Sequence, residues 1–193
     1  MSKLKWEEHV RDLAQHLGAL KCTLAGGRAA KVQDAFGLWR KWTDGLRTRR
    51  GTIYLIGNGA SASMASHMAA DLAKNGRLHT EVFSDLSLIT AISNDMSYEH
   101  VFSEPLSRRA KKGDMLVAIS SSGRSPNILA AVKLARRLKL TIVTLSAMNP
   151  KNPLRGMGTL NLYVPAKTYG YAESCHAVVL HHWMDMVELR GRH

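Results

Sequence analysis

The stretch Thr52-Ile53-Tyr54-Leu55-Ile56-Gly57-Asn58-Gly59-Ala60-Ser61-Ala62-Ser63 decides the fold. An apolar, β-branched and aromatic run breaks off at glycines and hydroxyls, which is how a buried strand turns into a helix. The same texture recurs downstream in the runs 79–83 (HTEVF), 114–120 (DMLVAIS), 140–146 (LTIVTLS) and 160–165 (LNLYVP). Between them lie helical patterns at about Met64 to Lys74, Pro126 to Leu138 and Tyr171 to Glu188. Strands alternating with helices at this rhythm predict an α/β fold, because right-handed crossovers bury a parallel sheet under helices on both faces.

Upstream of Gly51 the periodicity is helical. One segment runs from about Lys3 to Thr23; after Gly26-Gly27 a second runs from about Ala29 to Arg49 and carries Val32, Phe36, Trp39, Trp42 and Leu46 at helical spacing. With no repeat and no convincing linker, the 193 residues read as one domain, a helical N-terminal segment (1–50) on an α/β sandwich (51–193). Trp6, Trp39 and Trp42, if exposed on those helices, favour oligomerisation.

Composition excludes several classes. Two cysteines, Cys22 and Cys175, make neither a disulfide framework nor a metal finger, and no apolar run approaches the ~20 residues of a bilayer span. The charged N-terminus lacks the apolar core of a signal peptide, so the chain reads as soluble and cytoplasmic. Lys and Arg number 27 against 15 Asp and Glu, a net charge of +12. The basic residues Arg47, Arg49, Arg50, Arg108, Arg109, Lys111, Lys112, Arg136, Arg137 and Lys139 cluster near the ends of predicted helices, where they complement the helix dipole. That distribution suits solvated faces and a mild preference for anions; no nucleic-acid motif accompanies it.

Ligands of doubly wound sheets sit beyond the carboxyl ends of the strands. The loop 57–63 offers close backbone approach and hydroxyls at a helix start, an anion site in outline. It lacks the third glycine of a dinucleotide fingerprint and the ending of a P-loop, so no nucleotide cofactor is expected. The second loop, Ile119-Ser120-Ser121-Ser122-Gly123-Arg124-Ser125-Pro126-Asn127, sets four serines between a strand and a helix that starts at Pro126. Hydroxyls and N–H groups converging there suit a phosphate monoester, with charge assistance from Arg124; a serine-capped polar turn is the structural alternative. His67 and Asp71, four apart on one helix face, suit a metal pair or an acid/base pair. The last helix offers Glu173, His176, His181 and His182 beside an apolar stripe of Val178, Val179, Trp183 and Met186. Cys175 and His176 diverge as helix neighbours and form no catalytic pair, and Met64 and Met68 fill packing.

Gly57 to Asp71, the run AISNDMSYEHVF (91–102), the loop ISSSGRSPN (119–127) and the final helix together resemble a sugar isomerase (SIS) domain, and among these the phosphoheptose isomerases. Those enzymes convert sedoheptulose 7-phosphate to D-glycero-D-manno-heptose 7-phosphate. The resemblance implies a five-stranded parallel sheet, a homotetramer with active sites at subunit interfaces, and a phosphorylated sugar substrate. It further implies that Ser120, Ser121, Ser122 and Ser125 hold the phosphate, with Asn58, Ser61 and the pair Asn94-Asp95 on the substrate. Asp71 stands where the family has a catalytic Glu, one methylene longer, and His181 at the acid/base histidine. Glu173 replaces a Gln that contacts substrate and, in some members, zinc. His67, Asp71, Glu173 and His181 would then form a Zn2+ site of two nitrogens and two carboxylates. Tyr169-Gly170-Tyr171-Ala172-Glu173 and the cations Lys167 and Arg124 depart from the family pattern, which leaves open a different ketose phosphate. A non-catalytic SIS module, either a scaffold for a replication initiator or a sugar-phosphate sensor, is the alternative class.

Overall fold

The computed structural model describes residues 5–188. Seven strands form one sheet: β1 (Lys21–Leu24), β2 (Ala29–Ala30), β3 (Thr52–Gly57), β4 (His79–Val82), β5 (Met115–Ser120), β6 (Thr141–Ser146) and β7 (Leu160–Tyr163). Their order is β2-β1-β7-β6-β5-β3-β4. The five strands from β7 to β4 are mutually parallel, as expected. β3, β5 and β6 are almost continuously buried, which explains why their sequences are apolar runs without alternation.

Helices cover both faces. On one, α2 (Val32–Arg49), α3 (Ala60–Lys74) and α7 (Tyr169–Glu188) bury Trp39, Leu46, Met68, Leu72, Leu180 and Trp183 against the sheet. On the other, α4 (Leu86–Asp95), α5 (Ser103–Arg109) and α6 (Pro126–Arg137) contribute Ile92, Leu106, Ile128 and Val132. Local chemistry sets the helix starts. The Asp85 carboxylate accepts the Leu88 N–H at 2.9 Å to cap α4, and Pro126 opens α6, where its missing N–H costs nothing.

The N-terminal segment departs from its helical reading. α1 (Trp6–Gly18) stops well short of Thr23, and Lys3 lies outside the described residues. Lys21–Leu24 instead pairs antiparallel with β7, from Lys21 opposite Tyr163 to Leu24 opposite Leu160, and then with Ala29–Ala30. This short hairpin covers what would otherwise be an open edge of the parallel sheet, a long-range gain that local helical periodicity does not register. α2 accordingly begins at Val32 rather than Ala29. Trp39 is also not an exposed residue: it is fully buried and stacks on Trp183 at 4.1 Å, whereas Trp6 is 72% exposed. Among the described residues no helix is long and apolar enough to cross a membrane.

Several titratable groups are buried in this frame. Burial pushes the Cys22 and Cys175 thiols up to about 11, which makes both poor nucleophiles. His176, on the buried face of α7 (Tyr169–Glu188), is pushed down to about 4 by burial, opposed only by the Ser146 backbone. A neutral folded histidine beside an ordinary unfolded one means the unfolded chain binds the extra proton, so stability is complete above pH ~6.5 and is lost as pH falls toward ~4. Chemical denaturation at pH 7 and pH 5 should differ by about 2 kcal/mol from this group alone, and His176→Phe should flatten the difference.

Candidate active site

β3 and β5 are neighbours whose connections leave in opposite directions, α3 to one face and α6 to the other. Such a switch point opens a crevice at the carboxyl ends of the two strands. It holds a cavity of ≈ 130 Å³ lined by Asn58 and Ser61 after β3, by Ser120, Ser121, Ser122 and Ser125 after β5, and by Tyr169 and Glu173 at the start of α7.

The loops are held in place by their own polar groups. Ser120 Oγ accepts the Gly123 N–H at 3.2 Å and lies 3.4 Å from Ser125 Oγ; Ser122 Oγ accepts the Arg124 N–H at 3.3 Å. Gly123 adopts φ 62°, and a Cβ there would overlap the Asn152 side chain, whose amide donates to Ser146 Oγ and to the carbonyls of Ala147 and Asn149. Only glycine fits that conformation and that gap. Gly57 is confined similarly, since a Cβ would come within 2.5 Å of the Ser61 backbone. Asn58 and Asn127 exchange amide hydrogen bonds at 3.0 and 2.9 Å, and the Tyr98 hydroxyl donates to Asn58 Oδ1 at 3.1 Å. Asn127 and Tyr98 were not singled out from sequence, although both sit inside the quoted runs 119–127 and 91–102; a paired amide is invisible until the two loops meet.

No lysine or arginine lines the cavity, and Glu173 is its one carboxylate. The amino ends of α3, α6 and α7 all converge there, with serine hydroxyls between them, so the helix dipoles favour an anion. Ser121 Oγ is buried without a hydrogen-bond partner within the chain, so an entering acceptor would satisfy it. Arg124 and Lys167 stand exposed outside the lining. Asn94 and Asp95, at the end of α4, hydrogen-bond to each other at 2.9 Å and are likewise outside it.

A second constellation lies further along α3 and α7. His67 Nε2 is 3.3 Å from His181 Nε2 and 3.4 Å from Asp71 Oδ2, and the ligand atoms of all three residues fall within 4.8 Å of one another. The shorter Asp71 side chain therefore still reaches its neighbours. His181 Nδ1 lies 2.8 Å from the Ala177 carbonyl, which can only accept, so Nδ1 carries a proton and a neutral His181 presents an unprotonated Nε2. Two imidazoles and a carboxylate make a donor set that suits a divalent metal. Glu173 stands apart from this set. Eight residues of α7, about 12 Å of helix, separate it from His181, and its side chain lines the serine cavity instead.

A parallel sheet with a hydroxyl-lined anion cavity at its switch point and a histidine–carboxylate cluster beyond it is the architecture of a phosphosugar-handling domain. In agreement, residues 46–147 match the SIS domain model. The chain is 32% identical to the phosphoheptose isomerase of Helicobacter pylori (strain ATCC 700392 / 26695) over 189 residues, 95% of each protein. The structure of the phosphoheptose isomerase from Neisseria gonorrhoeae superimposes with a TM-score of 0.81 at 26% identity, covering 95% of this chain and 94% of that one. In fold alone, a phosphoheptose isomerase from Francisella tularensis matches with a TM-score of 0.83 at 22% identity, over 98% and 100% of the two chains. The chain belongs to the phosphoheptose isomerase family of SIS-domain proteins.

Proposed function

We propose that the protein is an aldose–ketose isomerase that converts sedoheptulose 7-phosphate to D-glycero-D-manno-heptose 7-phosphate through an enediolate. The observation that supports this is the sharing of two helices by the serine cavity and the histidine–carboxylate cluster. Ser61 lies about 9 Å from His67 and about 15 Å from Asp71 along α3, and Glu173 about 12 Å from His181 along α7. A sugar phosphate in the crevice would set its phosphate among the serines and point its carbonyl end along α3 and α7 toward the cluster.

In this reading Ser120, Ser121, Ser122 and Ser125 bind the phosphate, so contacts remote from the reacting carbons orient them. Asn58, held by Asn127 and Tyr98, and Ser61 and Glu173 face the sugar hydroxyls. Asp71 takes the proton from the carbon beside the carbonyl and returns it to the neighbouring carbon, while His181 Nε2 moves a proton between the two oxygens. His67 sits between the two and orients both. His67, Asp71 and His181 would hold Zn2+ when it is bound, and the metal would then supply Lewis-acid polarisation of the carbonyl; the proton transfers by Asp71 and His181 Nε2 are those of the site without the metal. The reading extends to a homotetramer in the cytoplasm, supported by the exposed apolar residues Trp6, Leu86, Met96 and Tyr98, which a partner subunit would cover.

The test is an assay with sedoheptulose 7-phosphate in deuterated water, with and without zinc, read by NMR. Aldose product carrying deuterium at the carbon beside the carbonyl is the expected result. Saturable binding with neither product nor exchange would overturn the isomerase reading. Ser121→Ala should raise KM for the phosphosugar by about tenfold and leave kcat nearly unchanged, because it removes one hydrogen bond to a charged group remote from the reacting carbons.

A further inference from the structure

A second, larger hollow of ≈ 470 Å³ lies on the α4–α6 face, between the turn at Tyr98–His100 and the carboxyl-terminal half of α6. Its walls carry Lys133, Arg136 and Arg137 from α6, with Glu99 and His100 from the turn and Met157 beneath. Lys133 and Arg137 are four apart on the helix and so share a face; among the described residues neither has a carboxylate partner. Arg136 is already oriented, donating from Nη2 to the Met157 carbonyl at 2.9 Å, which leaves its remaining N–H groups free. Three cations therefore face one carboxylate, in contrast to the serine cavity, which holds no cation at all.

Three exposed cations around one hollow give it a positive potential that favours an anion, and the volume is that of a small-molecule site rather than a single-ion site. A ligand with two or more negative charges fits the Lys133, Arg136 and Arg137 wall, where arginines make paired hydrogen bonds to phosphate oxygens. The Met157 thioether and the arginine stems offer an apolar surface suited to a flat ring, and the Glu99 carboxylate accepts from hydroxyl or amino groups. The geometry points to a binding site for a nucleoside diphosphate, separate from the serine cavity. The turn that supplies Glu99 and His100 also supplies Tyr98, whose hydroxyl holds Asn58, so the two sites share one short element.

The test uses ADP as the probe, titrated calorimetrically into the full chain at physiological salt. Saturable binding of one ADP per chain is expected, undiminished in Ser121→Ala and undiminished when sedoheptulose 7-phosphate is present in excess. The double variant Lys133→Gln/Arg137→Gln, in which both residues are exposed and without an ion-pair partner among the described residues, should weaken ADP by about tenfold or more, as loss of two charge-assisted contacts requires. Absence of saturable ADP binding, equal affinity in the double variant, or displacement by the phosphosugar would each overturn the proposal. So would displacement of ADP by a short DNA duplex with the same dependence on Lys133 and Arg137, which would make the face a general polyanion surface.

Discussion

Asp71→Asn should lower kcat for heptose phosphate isomerisation by about 10²–10⁴-fold, the range lost when a positioned general base is removed, with KM nearly unchanged. The amide is the same size and stays beside His67, whose Nε2 lies 3.4 Å from Asp71 Oδ2, so the fold and the phosphate cavity are untouched. What it cannot do is accept a proton from carbon. Solvent deuterium should therefore stop entering the sugar at the carbon beside the carbonyl, an exchange that a change in binding alone would not abolish. Asp71→Glu supplies the reverse control: the extra methylene matches the residue expected at this position in the family, and activity should be retained. An Asp71→Asn protein that still works within about tenfold of the unaltered chain would place the base elsewhere on the site.

Trp39→Ala should cost about 3–5 kcal/mol of stability, a large part of what a domain of this size possesses, and lower Tm by about 10 °C or more. Trp39 is fully buried, stacked on Trp183 at 4.1 Å with the rings 15° from parallel. Thr43 ties the pair together: its hydroxyl donates to the Trp39 carbonyl at 2.9 Å and accepts from Trp183 Nε1 at 3.1 Å. This stack seats α7 on α2, and α7 carries His181 two residues before Trp183. Loss of the indole would thus loosen the helix that presents His181, and activity should fall at temperatures well below the new Tm. Trp39→Phe keeps a ring in place and removes an indole N–H that has no hydrogen-bond partner within the chain, so its cost should be a fraction of that of Ala. Differential scanning calorimetry of the two variants decides the matter. Equal losses for Phe and Ala would mean that something other than ring stacking holds α7.

Local pattern carried much of the architecture. Uninterrupted apolar runs at 52–57, 115–120 and 141–146 are buried on both faces, and only a parallel sheet under two helix layers imposes that burial, so the α/β class follows from composition along the chain. The serine loop was legible for a related reason: hydroxyls next to a proline-started helix mark a polar strand-to-helix turn wherever they occur. The pairing of His67 with Asp71 was legible too, because a four-residue helical spacing is itself a spatial statement.

Other features depended on contacts between distant parts of the chain. The Lys21–Leu24 strand exists because β7 offers it an edge more than a hundred residues later, and the Trp39 face is buried because Trp183 arrives to meet it. His181 joins His67 across 114 positions of sequence. Glu173 and His181, grouped by the family resemblance, are kept apart by the rigid rise of one helix, Glu173 lining the serine cavity and His181 joining His67 and Asp71. Residue type and spacing determined which groups could act and which elements would carry them, since both are set within a few turns of backbone. Only tertiary packing, through the crossing of α3 and α7 above the switch point, decided which groups share a site, because that proximity is a property of the closed chain and is not encoded in any one segment.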